Sequence, residues 1–209
     1  MNCFIVSDDV DEFYGEYLIS LQNAIDYIIN QTNNIGCKCL EEFGRNPIEN
    51  IRYRIKSPES MSEKLLRHGY DVNAENAVRC VHDAAGVRVI TSFLEDVDIV
   101  VSFIRNIQGI EIIGEKDYIN YPKRNGYRSY HIICRVPFDN ISIFVEIQIR
   151  TVNMDTWASI EHRMKYKKMI VDEKPIVEEL KRCADELAAV DLSLQKLSKI
   201  LRAMPAENT

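Results

Sequence analysis

Residues 116–135 combine many basic side chains with many aromatic ones. Against a single acidic residue, Asp117, the stretch contains five cations and four tyrosines. The cations are Lys116, Lys123, Arg124, Arg128 and Arg135, and the tyrosines are Tyr118, Tyr121, Tyr127 and Tyr130. Because cationic side chains bind phosphate and tyrosine rings stack on bases, this composition predicts a nucleotide-binding site. An ordinary basic protein surface is the alternative.

Two acidic residues are placed where predicted strands would present them. Asp83 stands at the entrance to one strand, and Glu146 lies inside another. Around Glu146, the polar residues Gln148 and Arg150 alternate with apolar ones, so the polar side chains share one face. Two carboxylates and the phosphates of a nucleotide could together bind Mg²⁺, which prefers a few carboxylates, phosphate oxygens and water. An edge strand with a solvated polar face would give the same pattern.

The charge and the absent motifs narrow the class of ligand. The 209 residues carry a formal net charge of -6, which argues against a protein that coats nucleic acid non-specifically. The sequence has no Walker A loop and no GxGxxG motif, so side-chain cations would have to bind the phosphates. Its six cysteines lack zinc-ligand spacing. We find neither a signal peptide nor a membrane span, and therefore expect a cytoplasmic protein without membrane contact.

The spacing of apolar residues predicts the elements that would position these side chains. Strands are predicted at residues 47–57, 87–91, 110–116, 130–136 and 141–149, and helices at 8–32, between Ser57 and Gly69, and at 95–107, 153–166 and 173–204. A turn at 137–140 would join the last two strands into a hairpin, and residues before the second strand would form a polar connection. This order predicts an α/β (α+β) fold with a mixed five-stranded sheet flanked by helices.

The sequence predicts where the first long helix ends and that the last helix has an apolar stripe. The first should end at Asn33, Asn34 and Gly36, which are helix-stop residues. The last carries apolar residues in a near-heptad register, and that stripe is too long for one small core to cover. The chain length favours one domain with helical arms.

Six motifs follow one another along the middle of the chain. They are Arg54-Ile55-Lys56 with Lys64 downstream, Asp83-x-x-Gly86-x-Arg88, residues 116–119 (KDYI), 125–131 (NGYRSYH), 146–151 (EIQIRT), and 157–162 (WASIEH) with Tyr166-Lys167. Together they resemble those of the small alarmone synthetases of bacteria, single-domain relatives of the RelA/SpoT synthetase domain. The resemblance implies a nucleotidyltransferase-like sheet and the transfer of pyrophosphate from ATP to the 3′-hydroxyl of GTP or GDP, which yields (p)ppGpp and AMP in the stringent response.

The resemblance also implies a role for individual residues. Asp83 and Glu146 would be catalytic and would bind the Mg²⁺ cofactor, and Glu146 would be the general base for the 3′-hydroxyl. The ATP-binding residues would be Arg54 and Arg88, on either side of the adenine, and Lys56, Lys64 and Arg67 at the phosphates. The acceptor guanine nucleotide would contact Lys116, Lys123, Asn125, Tyr127, His131, Gln148 and Glu161, with Tyr127 stacked on the guanine.

Each role has a structural alternative. Tyr127 could cover a hydrophobic patch, Arg88 could form a strand-edge salt bridge, and His131 could be a hydrogen-bonded structural residue. Trp157 is expected in the core rather than at the ligand. Arg124 stands where many family members have proline, which should loosen the loop and add charge beside the acceptor phosphates.

The resemblance divides the chain into an N-terminal helical arm (1–46), a synthetase domain (47–168) and a C-terminal oligomerisation helix (169–209), and it implies a homotetramer. Hydrolysis of the product is not expected, because the hydrolase region of the long enzymes is absent. No feature indicates RNA binding. A non-catalytic nucleotide- or RNA-binding regulator on the same fold is the alternative function. Preference among GTP, GDP and GMP cannot be read from the sequence.

Overall fold

The computed structural model describes residues 8–138, 141–166 and 173–204. The strands are β1 (Ile48–Ile55), β2 (Ala85–Thr91), β3 (Glu111–Asp117), β4 (Tyr130–Pro137) and β5 (Ser142–Thr151). The helices are α1 (Asp8–Tyr14), α2 (Tyr17–Phe43), α3 (Pro58–Arg67), α4 (Ala74–Arg79), α5 (Leu94–Arg105), α6 (Val152–Tyr166) and α7 (Glu173–Ala203). None of the helices in these ranges is long and apolar enough to cross a membrane.

The strands form one sheet in the order β1-β2-β5-β4-β3. β2 and β5 are parallel, and the other neighbouring pairs are antiparallel. The predicted mixed five-stranded sheet with flanking helices is thus confirmed. The apolar residues of the central strands, such as Val87 and Ile147, are buried in the main core, which α2 and α5 share. The opposite face of the sheet keeps its polar side chains for the site described below.

The predicted end of the first long helix is wrong. The chain breaks instead at Gly15 (φ 50°) between α1 and α2, and α2 continues to Phe43. It continues because Ile35 and Cys39 extend its buried face into the main core. Gly36 lies inside the helix, where an added Cβ would come within 2.8 Å of Asn46 Oδ1. This glycine therefore serves close packing.

Several smaller predictions can be compared with the structure. Ser57 caps α3 by accepting a hydrogen bond from Ser60 N, as predicted. The region predicted as a polar connection contains a short helix, α4, which Asn73 caps at its amino end. Within the predicted turn, residues 139 and 140 fall outside the described residues, and so does Lys167 of the last motif.

The helix α7 packs against the rest of the chain through α6 and α5. Trp157 is buried in a second small core with Ala184, as predicted for a core residue, and its Nε1 donates to Leu180 O at 2.7 Å. The carboxylate of Asp191 accepts hydrogen bonds from Thr151 and Asn153 at 2.7 and 2.8 Å. These contacts hold α7 close to the end of β5.

Candidate active site

The polar face of the sheet aligns functional side chains in rows. One row crosses all five strands through the paired positions Arg52, Arg88, Gln148, His131 and Lys116. A second row consists of Arg54, Gly86 and Glu146. Side chains at paired positions point to the same face of a sheet. Residues far apart in sequence are therefore brought into one surface.

Two connected cavities open on this face. The smaller has a volume of about 170 Å³ and is bounded by β1, β2 and β5. The larger, about 600 Å³, extends from the sheet to the loop before β4 and to α6. Both are lined by Arg54, Asp83, Arg88, Glu146 and Gln148. The two carboxylates thus stand where the compartments meet.

Asp83 is held by two lysines. Its Oδ2 lies 3.0 Å from Lys56 Nζ and 2.8 Å from Lys64 Nζ. Burial by itself would raise the pKa of Asp83, but the hydrogen bonds and charges of Lys64 and Lys56 outweigh it and hold the pKa below its usual value. Asp83 is consequently ionised at neutral pH.

The second oxygen of Asp83 makes this residue suitable for a metal. Oδ1 is buried and accepts no hydrogen bond from the residues that the structure describes. A buried carboxylate oxygen without a partner is costly, and a cation would satisfy it. The described residues contain no cluster of three or more His, Cys, Asp or Glu with metal-binding geometry. A metal here would therefore need ligands from the substrate, as Mg²⁺ commonly does at phosphate groups.

Glu146 belongs to a closed ring of hydrogen bonds. Its Oε1 lies 3.1 Å from His131 Nδ1, and His131 Nε2 lies 2.7 Å from the hydroxyl of Tyr127. Arg150 Nη2 donates to that hydroxyl at 2.7 Å and to Gln148 Oε1 at 2.8 Å, and Gln148 Nε2 donates to Glu146 Oε2 at 2.8 Å. The Tyr127 hydroxyl accepts from Arg150, and His131 Nδ1 donates to the ionised Glu146, which closes the ring.

The ring strongly affects the acidity of Glu146. Burial would raise the pKa of Glu146, but the hydrogen bond and charge of His131, the hydrogen bond of Gln148 and the charge of Arg54 together lower it to about 2. A carboxylate with so low a pKa binds cations and accepts hydrogen bonds well. It is a weak acceptor for a whole proton.

The position of Tyr127 is compatible with both of the roles that the sequence left open. Its ring packs against the small core of Trp157 and Ala184, so it does cover a hydrophobic patch. The ring also lies in the larger cavity, beneath Lys123, whose Nζ is 4.8 Å from the ring centroid. Since Lys123 is exposed, a stacking base could displace it at little cost.

The loop before β4 is held by α7. Gly126 has a φ of 90°, and a Cβ added there would lie 2.6 Å from Ala184 Cβ. Beside it, Arg128 Nη2 donates to Asp185 Oδ1 at 2.9 Å. Gly126 thus allows both a left-handed turn and a close approach to the helix. These contacts tie the loop to α7.

Amides and carboxylates complete the larger cavity. Asn125 Nδ2 donates to Glu161 Oε1 at 3.0 Å, and Asn125 Oδ1 accepts from Tyr127 N at 3.2 Å. Glu161 is buried on α6. This pair joins the loop to α6 and provides directional hydrogen-bonding groups of the kind that distinguish one base from another.

Most of the residues predicted for the site line the two cavities or, like Lys56 and Lys64, contact Asp83. Two neither line a cavity nor contact Asp83: Arg67, exposed at the end of α3, and Lys116, exposed on β3.

Two further residues have no role in the sequence-based prediction. Arg150 could have been found from its alternation with Glu146 and Gln148. Asp155 accepts hydrogen bonds from three arginines and had no local signal beyond its position in the first turn of α6.

Comparisons with known proteins identify the family to which the chain is similar. Residues 53–170 match the family model described as a region found in RelA / SpoT proteins. The chain is 39% identical to GTP pyrophosphokinase YwaC of Bacillus subtilis. The match extends over 194 residues and covers 91% of this chain and 92% of the relative. The crystal structure of small alarmone synthetase 2 from Bacillus subtilis is similar with a TM-score of 0.78 and 36% identity, covering 89% of this chain and 98% of the other. Small alarmone synthetase 1 from Bacillus subtilis, bound to its product pppGpp, has a TM-score of 0.81 and 26% identity, covering 92% and 100%.

Proposed function

Because this chain belongs to the RelA/SpoT family, among its small alarmone synthetases, we propose that it is a GTP pyrophosphokinase. It transfers pyrophosphate from ATP to the 3′-hydroxyl of GTP or GDP. One observation carries the proposal for this chain itself. Asp83 and Glu146 line both the smaller compartment and the larger one, and Tyr127 lines only the larger. A donor and an acceptor nucleotide would thus meet at the two carboxylates.

The two compartments suit different nucleotides. In the smaller, Arg54 and Arg88 supply guanidinium planes that stack on adenine. Lys56 and Lys64 lie next to Asp83, where the phosphates of ATP would enter. In the larger, Tyr127 supplies the ring for guanine, and the Asn125–Glu161 pair supplies hydrogen-bonding groups.

The reaction forms one bond and breaks another. The 3′-oxygen of the acceptor attacks the β-phosphorus of ATP, the bond from that phosphorus to the oxygen bridging the α- and β-phosphates breaks, and AMP leaves with that oxygen. The acceptor hydroxyl loses its proton. Negative charge spreads over the phosphate oxygens in such a transfer, so positioned cations do most of the work.

Asp83 and Glu146 would hold Mg²⁺, consistent with the buried, unpartnered Oδ1 of Asp83. The ion would neutralise charge on the transferred pyrophosphate. Glu146, with its pKa near 2, accepts a hydrogen bond from the 3′-hydroxyl and orients it. As the general base predicted from the resemblance, it would take the proton late, because a loose phosphoryl-transfer transition state needs little prior deprotonation.

A direct assay tests the proposal. The protein is incubated with ATP, Mg²⁺ and GTP, GDP or GMP, and the nucleotides are separated by anion-exchange chromatography. We expect AMP and a guanosine product carrying two additional phosphates, in equal amounts. An Asp83→Asn variant should form neither, while its circular dichroism spectrum stays that of the wild type. Release of free pyrophosphate without AMP would refute the proposal and indicate a nucleotidyltransferase.

The alternative, a non-catalytic nucleotide- or RNA-binding regulator, is not favoured. Such a protein has no need of two ionised carboxylates at the junction of two nucleotide compartments, and here both Asp83 and Glu146 are in place.

We also propose that the chain assembles into a homotetramer through α7. The residues Val190, Leu194, Leu197 and Leu201 on this helix are exposed in the single chain. Apolar surface of this kind is commonly covered by a second copy. Light scattering after size-exclusion chromatography measures the mass directly. The Leu194→Glu, Leu197→Glu double variant should form an assembly of lower mass than the wild type. A monomeric wild type would contradict the proposal.

A further inference from the structure

Asp155, in the first turn of α6, is an acceptor shared by three arginines. Its Oδ1 accepts hydrogen bonds from Arg88 Nη1 at 3.0 Å and Arg150 Nη1 at 3.2 Å. Its Oδ2 accepts from Arg52 Nη1 at 3.3 Å. Asp155 is only 5% exposed. Because the arginines come from β2, β5 and β1, one buried carboxylate ties α6 to three strands of the sheet.

Two of these arginines serve the two proposed nucleotide sites. Arg88 lines both cavities, and in the smaller one it would stack on the adenine, whereas Arg150 lines only the larger one. Arg150 donates to the Tyr127 hydroxyl and to Gln148, which line the larger cavity. The same oxygen of Asp155 therefore contacts one residue from each nucleotide site.

On the basis of the function proposed above, we propose that Asp155 is a positioning residue that couples the binding of ATP to the binding of the guanine nucleotide. Stacking on adenine requires the guanidinium plane of Arg88 to be held still, and Asp155 holds it at one nitrogen. Once ATP orders Arg88, the shared oxygen is also ordered, and Arg150 then holds Tyr127. The second nucleotide meets a site that has already lost this freedom, so it binds more tightly.

The electrostatics support this role. Burial and then the charge of Arg150 lower the pKa of Arg88, and the charge of Asp155 opposes them. Arg88 Nε is buried without a hydrogen-bond partner among the described residues, so few other contacts hold this side chain. Without Asp155, two like charges would lie close together in a buried site and would repel each other. Arg88 and Arg150 would then move apart.

A purely structural role for Asp155 would have a different signature. A carboxylate that only neutralises buried arginines stabilises the fold but does not link the two compartments. The distinguishing quantity is the coupling ratio, which is the dissociation constant of one nucleotide measured alone divided by that measured with the other nucleotide present.

Calorimetry can measure this ratio without turnover. The bond that breaks joins the α- and β-phosphates, so α,β-methylene ATP binds but does not react. We expect saturating GDP to tighten the binding of α,β-methylene ATP to the wild type about fivefold or more. Asp155→Asn keeps the side-chain shape and removes the charge. It should weaken the binding of both nucleotides and lower the coupling ratio below about 2.

Arg150→Lys provides a second variant should Asp155→Asn fail to fold. It leaves the Asp155–Arg88 contact and cannot reproduce all the hydrogen bonds of Arg150. It should bind the analogue alone nearly as the wild type does and lose the coupling.

A matched control is available on α5. Asp96 is fully buried and pairs with Arg45 at 2.5 Å, and it lines neither cavity. Asp96→Asn should lower the free energy of unfolding and keep the wild-type ratio. A wild-type ratio in Asp155→Asn, or a ratio near one in the wild type, would overturn the inference. Failure of the wild type to form AMP despite coupled binding would instead refute the proposed reaction and leave the coupling in place.

Discussion

Replacing Tyr127 with phenylalanine would separate two roles that one residue combines. The hydroxyl lies 2.7 Å from His131 Nε2 and 2.7 Å from Arg150 Nη2, so it closes the hydrogen-bonded ring around Glu146. The aromatic ring is the proposed stacking surface for guanine. Phenylalanine removes only the hydroxyl, whereas leucine removes the flat ring as well and still fills the space beside the small core.

The two losses have different magnitudes and affect different measurements. A hydrogen bond between neutral groups contributes about 1 kcal/mol and one to a charged guanidinium about 1.5–3 kcal/mol. Water from the open cavity replaces part of both, so Tyr127→Phe should cost about 1–2 kcal/mol of unfolding free energy. Stacking of a base on an aromatic side chain contributes about 1–3 kcal/mol. Tyr127→Leu should therefore raise the KM for GDP about 5- to 150-fold.

Urea unfolding and steady-state kinetics at saturating ATP provide the two measurements. Tyr127→Phe should be less stable, with a KM for GDP within about threefold of the wild type. Tyr121→Leu is a control from the same loop, because Tyr121 is 79% exposed and should change neither quantity. An equal rise in KM for the Phe and Leu variants would assign acceptor binding to the hydroxyl. A wild-type KM in the Leu variant would refute stacking altogether.

Three further substitutions test separate parts of the site. Gly126→Ala should push the loop away from α7, cost about 1–3 kcal/mol of stability and raise the KM for GDP. Gly114→Ala is the control, because nothing lies within 4 Å of the added Cβ, and it should change neither the stability nor the KM for GDP. Lys64→Met should raise the pKa of Asp83. It should also raise the KM for ATP about tenfold and leave the KM for GDP unchanged. An unchanged KM for ATP would show that this lysine does not bind the phosphates. Because folding lowers the pKa of Glu146 from 4.5 to about 2, its ionised form stabilises the fold above pH 4.5, and this contribution is lost as the pH falls to about 2. Glu146→Gln should thus cost at most about 3 kcal/mol in urea unfolding at pH 7 and much less near pH 2, and a pH-independent difference would contradict the assigned pKa.

Local patterns allowed much of the sheet to be predicted. Alternation of polar and apolar residues is a property of one strand, so the shared face of Glu146 and Gln148 could be read directly. The alignment between strands could not. That Arg52 and Lys116 stand at opposite ends of one row depends on strand order and register, which tertiary packing decides.

The errors also have physical causes. Asn33 and Gly36 resemble helix-stop residues, but Ile35 and Cys39 pack into the core, and tertiary burial overrides local propensity. Asp155 was missed for a related reason. Its partners come from three separate strands, and nothing in its sequence neighbourhood indicates that three arginines surround it.

The lysines at Asp83 suggest how the donor nucleotide is received. Lys56 and Lys64 neutralise Asp83 here, and both are proposed to bind the phosphates of ATP. A lysine that turns to a phosphate leaves the Asp83 carboxylate charged in a buried position, which is costly unless another cation satisfies it. Asp83 would then hold the Mg²⁺ that accompanies ATP, and the ion would supply the positive charge that the lysines no longer provide. Because Lys64 lies next to Asp83 beside the donor compartment, its loss should weaken the binding of ATP and leave that of the guanine nucleotide unchanged.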